Sequence, residues 1–172
     1  MATIQADLLI FYSGAKESGG YSNSPLESLG GFPSTVKIPN LTEDALFDEI
    51  GILEASRGQV DYRCIFLKNN SAVDTLRDLT LVVTDPNGAL TKFGSIHAGV
   101  EIPDDADSPV QMLGSMFEEP RNIEWAETDE DGVELSNTLA PGALIAVWLR
   151  RTVNAITERN LNAKLTFTFT WT

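Results

Sequence analysis

The sequence contains few of the residues that most enzyme and metal sites require. Its 172 residues include one cysteine, Cys64, and one histidine, His97. A single cysteine cannot form an intrachain disulfide, and a zinc site usually takes about four Cys, His or carboxylate ligands. A nucleophilic cysteine also needs a base, and GSIHAG around His97 matches no catalytic signature. We therefore expect no enzymatic activity, and we interpret Cys64 as a core residue on a strand face shared with Tyr62 and Phe66.

Basic residues are also scarce. The chain has 12 Lys and Arg against 25 Asp and Glu, which gives a formal net charge of −13. This charge repels the phosphate backbone of nucleic acids and suits a basic protein partner. The apolar runs are far shorter than the roughly 20 residues of a membrane span, and MATIQADLLIFYSG lacks a basic signal-peptide region. We expect a protein made in a cytosol, with neither nucleic acid nor membrane among its partners.

Short apolar segments separated by turn signals make up most of the remaining sequence. The clearest is AKLTFTFTWT at 163–172, where Leu165, Phe167, Phe169 and Trp171 alternate with threonines. Other strands are expected at 8–11, 59–69, 79–84 and 143–153. Turns between successive strands predict an all-β chain, a single antiparallel β-sandwich domain over residues 1–172.

One segment favours a helix. LTEDALFDEIGILEA, residues 41–55, can begin at a Thr42 cap, and Leu46, Ile50 and Leu53 then share a face. The sequence therefore predicts at most one short helix. The alternative is a short strand, LFDEIG, followed by a turn.

Residues 13–35 form a long segment rich in Gly and Ser, SGAKESGGYSNSPLESLGGFPST. A loop of this length within a small domain is usually functional or disordered. Tyr21, Leu26, Leu29 and Phe32 are spread through it, and a solvated linker would not need them. We predict an arm that packs on a neighbouring molecule, mobile in the free protein and fixed in the complex.

Three arginines are further interface candidates. Arg150 and Arg151 follow an apolar run, and adjacent strand residues face opposite sides of a sheet. In one interpretation, one of the two pairs with a buried carboxylate while the other lies at the exposed end of the strand. In the other, both bind an acidic neighbour through their planar guanidinium groups. Arg63 fits either arrangement.

ETDEDG is an incomplete calcium-loop pattern. Glu127, Asp129 and Asp131 alternate before Gly132, but Thr138 stands where such a loop places a bidentate glutamate. A hairpin turn closed by Asp131 and Gly132 explains the same residues. We therefore expect no metal or other cofactor, with these three carboxylates as the nearest approach to a calcium site.

Two stretches resemble a recurring pattern in small structural proteins of tailed bacteriophages. In that pattern an LFD segment and a glycine precede a YRC-aromatic-aliphatic-KN strand, and an LAPG turn precedes a WLRRTV strand. YSGAKESGG and SLGG resemble its glycine-rich lead-in. The matching residues are Leu46-Phe47-Asp48, Gly58, Tyr62-Arg63-Cys64, Lys68-Asn69, Leu139-Ala140-Pro141-Gly142 and 148–153.

This resemblance, over residues 10–155, implies an immunoglobulin-like sandwich in a virion structural protein. A capsid decoration or stabilising protein and a neck or tail attachment protein both fit. Such a protein would contact other virion proteins and act in several copies of a symmetric assembly. The alternative is a carbohydrate-recognition or receptor-binding module of a fibre or tail, with Tyr21, Trp125 or Trp171 stacking on sugars.

Overall fold

Strands make up most of the computed structural model, which describes residues 7–38, 41, 43–47, 52–84, 94–128, 131–155 and 165–172. Among these residues, the helices are α1 (Glu43–Leu46) and α2 (Ile52–Arg57), and a 3₁₀ turn covers Pro25–Glu27. The strands are β1 (Leu8–Tyr12), β2 (Gly30–Gly31), β3 (Gln59–Asn69), β4 (Leu76–Thr84), β5 (Gly94–Glu101), β6 (Val110–Met112), β7 (Ala126–Glu127), β8 (Val133–Leu139), β9 (Leu144–Val153) and β10 (Thr166–Thr170).

Two antiparallel sheets pack face to face. The larger has the strand order β1-β3-β9-β5-β7 and the smaller has the order β10-β4-β8. A further pair, β2 and β6, lies outside the larger sheet. The predicted all-β antiparallel sandwich is confirmed as an architecture, and strands were correctly expected at β1, β3, β4, β9 and β10.

The space between the two sheets is the main core. Alternate residues of each strand point into it, as the period of two requires. On β10, Phe167 is buried while Thr166 and Thr168 are exposed, as the alternation predicts. The larger sheet contributes Ile65, Leu67, Ile96, Ala98, Ile145, Val147 and Leu149, and the smaller contributes Leu79, Leu81, Val83, Leu135 and Phe167.

The larger sheet is buried on its other face as well. Residues 13–38 and 110–125, here called the outer layer, run along this face and cover a second core. Because β3 and β9 are covered on both sides, their sequences are almost continuously apolar rather than alternating. The second core contains Tyr62, Cys64, Phe66, Val110, Leu113, Ala146 and Trp148.

Hydrogen bonds join the two halves of the arm to each other and the arm to its own sheet. The Gly14 amide donates to the Gly30 carbonyl at 2.7 Å, and Ala15 and Phe32 exchange backbone hydrogen bonds at 3.1 and 3.3 Å. The buried Ser13 hydroxyl donates to the Cys64 carbonyl at 2.7 Å. The structure therefore seats residues 13–35 on this chain, whereas we expected an arm that only a neighbouring molecule would fix.

Gly30 makes this close packing possible. Its φ is +95°, and a Cβ built there would lie 1.9 Å from the Gln111 carbonyl oxygen and 2.9 Å from the Trp148 ring. A residue without a Cβ avoids both the left-handed strain and the clash.

The segment predicted to form a short helix does contain short helices. Among the described residues two short α-helices lie within the segment, and residues 48–51 lie outside that set. Leu53 is 69% exposed, so it does not share a buried face with the fully buried Leu46. Thr42 and Ile50 also lie outside the described residues. Gly58, with φ of +76°, follows α2 directly and supplies the left-handed residue that commonly ends a helix.

None of the helices in the described ranges has the length and apolar character needed to cross a bilayer.

Candidate functional site

Cys64 lies in the second core, between the larger sheet and the outer layer. Its side chain is fully buried, and its sulfur is 3.8 Å from the Ile65 carbonyl oxygen. Burial raises the pKa of the Cys64 thiol well above its ordinary value, and the Glu101 carboxylate raises the pKa further, against a lowering effect of Ser13. A thiol held neutral and out of water is a packing group rather than a nucleophile.

His97 is not placed to act on Cys64. Strand β9 lies between β3 and β5, and Cys64 is in register with Trp148, which is in register with Gly99. Two strand spacings amount to about 10 Å. The Trp148 side chain is fully buried on the same face as the thiol, so it fills the space that a Cys–His pair would need.

Arg151 and Arg63 lie inside the sandwich. Arg151 forms a two-point ion pair with Asp61, with Nε–Oδ1 and Nη2–Oδ2 distances of 3.0 and 2.8 Å. Arg63 donates from Nε to the Leu46 carbonyl at 2.7 Å. Both guanidinium groups contact the Phe47 ring, at 4.6 Å for Arg151 and 5.3 Å for Arg63.

These contacts make the two arginines internal clamps. Both are essentially unexposed, at 1% for Arg151 and 0% for Arg63. They hold the segment containing α1 against the end of the main core, so the prediction that they contact a neighbouring molecule is wrong. The alternative interpretation, in which one arginine of the pair binds a buried carboxylate, describes Arg151.

Arg150 points to the opposite face, toward the outer layer. Its guanidinium lies 4.8 Å from the centroid of the Trp125 ring and 3.7 Å from the Glu119 carboxylate. Trp125 donates to Glu119 at 3.2 Å and contacts Tyr62, with ring centroids 5.8 Å apart. Arg150 keeps 23% of its side-chain exposure, so of the three predicted interface arginines it is the one that solvent reaches.

His97 lies beside this cluster, in register with Arg150 on β9 and Glu127 on β7. Burial and the nearby Arg150 charge lower the pKa of His97, and Glu127 raises it by a smaller effect. Burial and the Arg150 charge therefore both favour the neutral imidazole.

Several large apolar side chains of the outer layer face solvent. Tyr21 is 70% exposed and Leu26 is 46% exposed, as their predicted role in contacts requires. Leu29 and Phe32, predicted for the same role, are half-buried instead, and Leu29 packs into the second core.

The sequence interpretation missed two further residues of this surface, Met112 and Phe117, which are 55% and 61% exposed. Both come from the 110–125 half of the outer layer. A large apolar residue in SMFEEP, next to acidic residues and a proline, is a signal that could have identified Phe117.

A groove of about 510 Å³ lies beside the edge strand β8. One wall is formed by Ala98–Val100 of β5, another by Val133–Leu135 of β8, and the remainder by Asn122 and Glu124–Ala126. Gly99 allows the 122–126 segment to pack closely on β5, because a Cβ at position 99 would lie 2.2 Å from the Ile123 side chain. The exposed Glu124 and Glu134 bring negative charge to the groove.

The structure describes two of the three carboxylates in the predicted calcium pattern. Glu127 is an exposed residue of β7, Asp131 lies in the turn before β8, and Asp129 is outside the described residues. Within the described ranges, no three Asp, Glu, His or Cys side chains are grouped as a metal site.

Comparisons of the chain with protein families, with curated proteins and with solved structures return no match.

Proposed function

We propose that this protein is a non-enzymatic structural component of a tailed-phage particle, which binds other particle proteins through its outer layer. The assignment to a virion rests on the resemblance of the LFD, YRC and WLRRTV stretches to phage structural proteins. Capsid decoration and attachment at the neck or tail are both compatible with it.

The observation that carries the binding role is the exposure of large apolar side chains on a layer fixed to the sheet. Tyr21, Leu26, Met112 and Phe117 all face solvent. Exposed apolar side chains mark an interaction site where they form a contiguous patch. Because the arm is already hydrogen-bonded to its own sheet, binding would not need to order it, and the entropy cost of association is lower.

The chemistry of the described residues agrees with a binding role. The thiol of Cys64 is buried and neutral, and His97 is separated from it by β9. The guanidinium groups of Arg63 and Arg151 bind the Leu46 carbonyl and the Asp61 carboxylate inside the fold. Each of these residue types could serve catalysis elsewhere, whereas Cys64, Arg63 and Arg151 have structural roles here.

The geometry favours carbohydrate recognition less. A ring that stacks on a sugar needs a free face. Trp171 packs against the main core, and Trp125 has Arg150 over its ring. Of the three aromatic residues considered for this role, Tyr21 alone is largely exposed.

Co-sedimentation tests the proposal. Particles would be purified on a density gradient from the culture that carries this gene, and the chain would be detected with a specific antibody. We expect it to band with the particles in many copies per particle. Recovery of all the protein in the soluble fraction would contradict the proposal.

A matched pair of variants tests the surface. In add-back binding to particles that lack the chain, the triple variant Tyr21→Ser, Leu26→Ser and Phe117→Ser should bind at least tenfold more weakly. The control, Leu53→Ser with Val73→Ser, alters two exposed apolar residues outside the outer layer. It should bind like the wild type, and equal losses in both variants would count against the outer layer as the binding surface.

A further inference from the structure

The groove beside β8 combines three features that suit a bound ligand. It has a volume in the range of small binding clefts, it runs along a strand edge, and its lining carries two carboxylates. No lysine or arginine is among its lining residues in the part of the chain that the structure describes.

Strand β8 is the edge of the smaller sheet on this side. It pairs with β4, and the groove occupies the space on its other side. An edge strand exposes backbone N–H and C=O groups in the spacing that another extended chain can match. The groove therefore offers hydrogen-bonding backbone in addition to charge.

An edge of the larger sheet is covered differently. Strand β1, at that edge, is covered by residues 36–38, which follow the arm: the Tyr12 amide donates to the Val36 carbonyl at 3.2 Å and the Ile38 amide donates to the Ile10 carbonyl at 2.8 Å. The chain thus supplies its own covering strand at β1 and leaves a groove at β8.

Charge selects the kind of chain that could fill this groove. Glu124 and Glu134 both line the groove, and the whole molecule carries a net charge of −13. A neutral or acidic segment would gain no charge pairing there, whereas an extended segment that bears lysine or arginine side chains would be attracted to this lining.

We propose that the groove between β8 and the 122–126 segment binds an extended, lysine- or arginine-bearing segment of a partner protein, which adds a strand to the β8 edge. This inference rests on the proposed function, because it names the chemistry of one particle partner. It adds a second contact, on a different part of the molecule from Tyr21 and Leu26.

Binding of a defined probe tests the groove directly. The probe is a fluorescein-labelled peptide, acetyl-KTKTKT-amide, measured by anisotropy with the full chain, and acetyl-QTQTQT-amide is its uncharged counterpart. We expect saturable binding of the lysine peptide, at least tenfold weaker binding of the glutamine peptide, and a loss of affinity as salt is raised. Absence of saturable binding by the lysine peptide would overturn the proposal.

Two double variants with the same change in net charge separate the groove from the overall charge. Glu124→Gln with Glu134→Gln should weaken the lysine peptide at least tenfold. Glu17→Gln with Asp104→Asn, which alters exposed residues elsewhere, should stay within about twofold of the wild type, since exposed charges beyond a Debye length of roughly 8–10 Å are screened. Equal losses in both variants would show that net charge alone attracts the peptide and would overturn the proposal.

Amide exchange on the wild type provides a readout that needs no variant. Strand addition should slow exchange at amides of Val133–Leu139 when the lysine peptide binds. Unchanged exchange there, or displacement of the peptide by neutral maltohexaose, would contradict strand addition. The particle assay separates this proposal from the proposed function. If the Glu124→Gln, Glu134→Gln variant still bands with particles and the lysine peptide does not bind the wild type, the groove proposal fails and the proposed function stands.

Discussion

The two faces of the larger sheet are covered in different ways. The inner face packs on the smaller sheet through aliphatic side chains, and its one polar end is closed by the ion pair between Asp61 and Arg151. The outer face packs on irregular chain, and buried serine hydroxyls supply many of its contacts. Ser13 donates to the Cys64 carbonyl, and Ser34 accepts from the Ser22 amide at 2.8 Å.

This difference shows how an irregular segment can form part of a core. A buried loop leaves backbone groups without regular partners, and each unpaired group costs roughly 1–3 kcal/mol. Short hydroxyl side chains provide partners within a few ångströms of the backbone. We infer that the outer layer depends on individual hydrogen bonds and close glycine contacts, whereas the inner core depends on apolar burial and one ion pair.

Breaking the ion pair should have the largest effect on stability. Asp61→Ala leaves the Arg151 guanidinium buried beside Phe47 without its carboxylate, and removing one partner of a buried pair costs about 3–5 kcal/mol. Chemical denaturation of the variant and the wild type measures this loss. The double variant Asp61→Ala with Arg151→Met should lose less than the single variant, and a larger loss would contradict the clamp.

Gly30→Ala should damage the outer layer selectively. The new Cβ would overlap the Gln111 carbonyl, and its backbone would keep a positive φ, which costs about 1–2 kcal/mol. Gly19→Ala is the matched control, because Gly19 also has a positive φ, of +73°, but no atom within 4 Å of a Cβ. Gly30→Ala should cost about 1–3 kcal/mol more than the control, as overpacking does, and raise amide exchange in residues 13–35. Equal losses of stability in Gly30→Ala and Gly19→Ala would contradict the close contact between Gly30 and Gln111.

Cys64→Ala should have a moderate effect. The cavity left by a buried sulfur should cost about 1 kcal/mol and leave particle binding unchanged. In the wild type, because the pKa of the Cys64 thiol is raised in the folded state, its contribution to stability is present below the ordinary thiol pKa and is lost as the pH rises above it. The native thiol should also react with Ellman's reagent no faster than the protein unfolds, and rapid reaction at pH 7 would contradict the burial.

His97 should produce the smallest effect. Its pKa is lowered in the folded state, so the unfolded chain binds more protons near the ordinary histidine pKa of about 6.5. Stability attributed to neutral His97 is therefore present above that pH and is lost as the pH falls through it. The melting temperature should drop less between pH 7.5 and pH 5.5 in His97→Gln than in the wild type, and an equal drop would exclude His97 as the source.

Much of the inner architecture was predictable from local sequence. The alternation in the last strand indicated its buried and exposed faces, and the stretch around Cys64 was correctly predicted as a strand that places Cys64 in a core with Tyr62 and Phe66. The outer layer was harder to predict, because the fit of Gly30 against Gln111 and of Ser13 against Cys64 depends on contacts between residues 50 or more positions apart. The roles of Arg150 and Arg151 depended on which face each residue occupies, and that requires knowing which carboxylate lies opposite.

Hydroxyl-radical footprinting of the chain, free and bound to particles, tests the central claim most directly. If the outer layer is the contact surface, oxidation of Tyr21, Met112 and Phe117 should fall at least several-fold on the particle, while oxidation of the exposed Val73 stays unchanged. Protection of Val73 with unchanged oxidation of the three outer-layer residues would contradict the account.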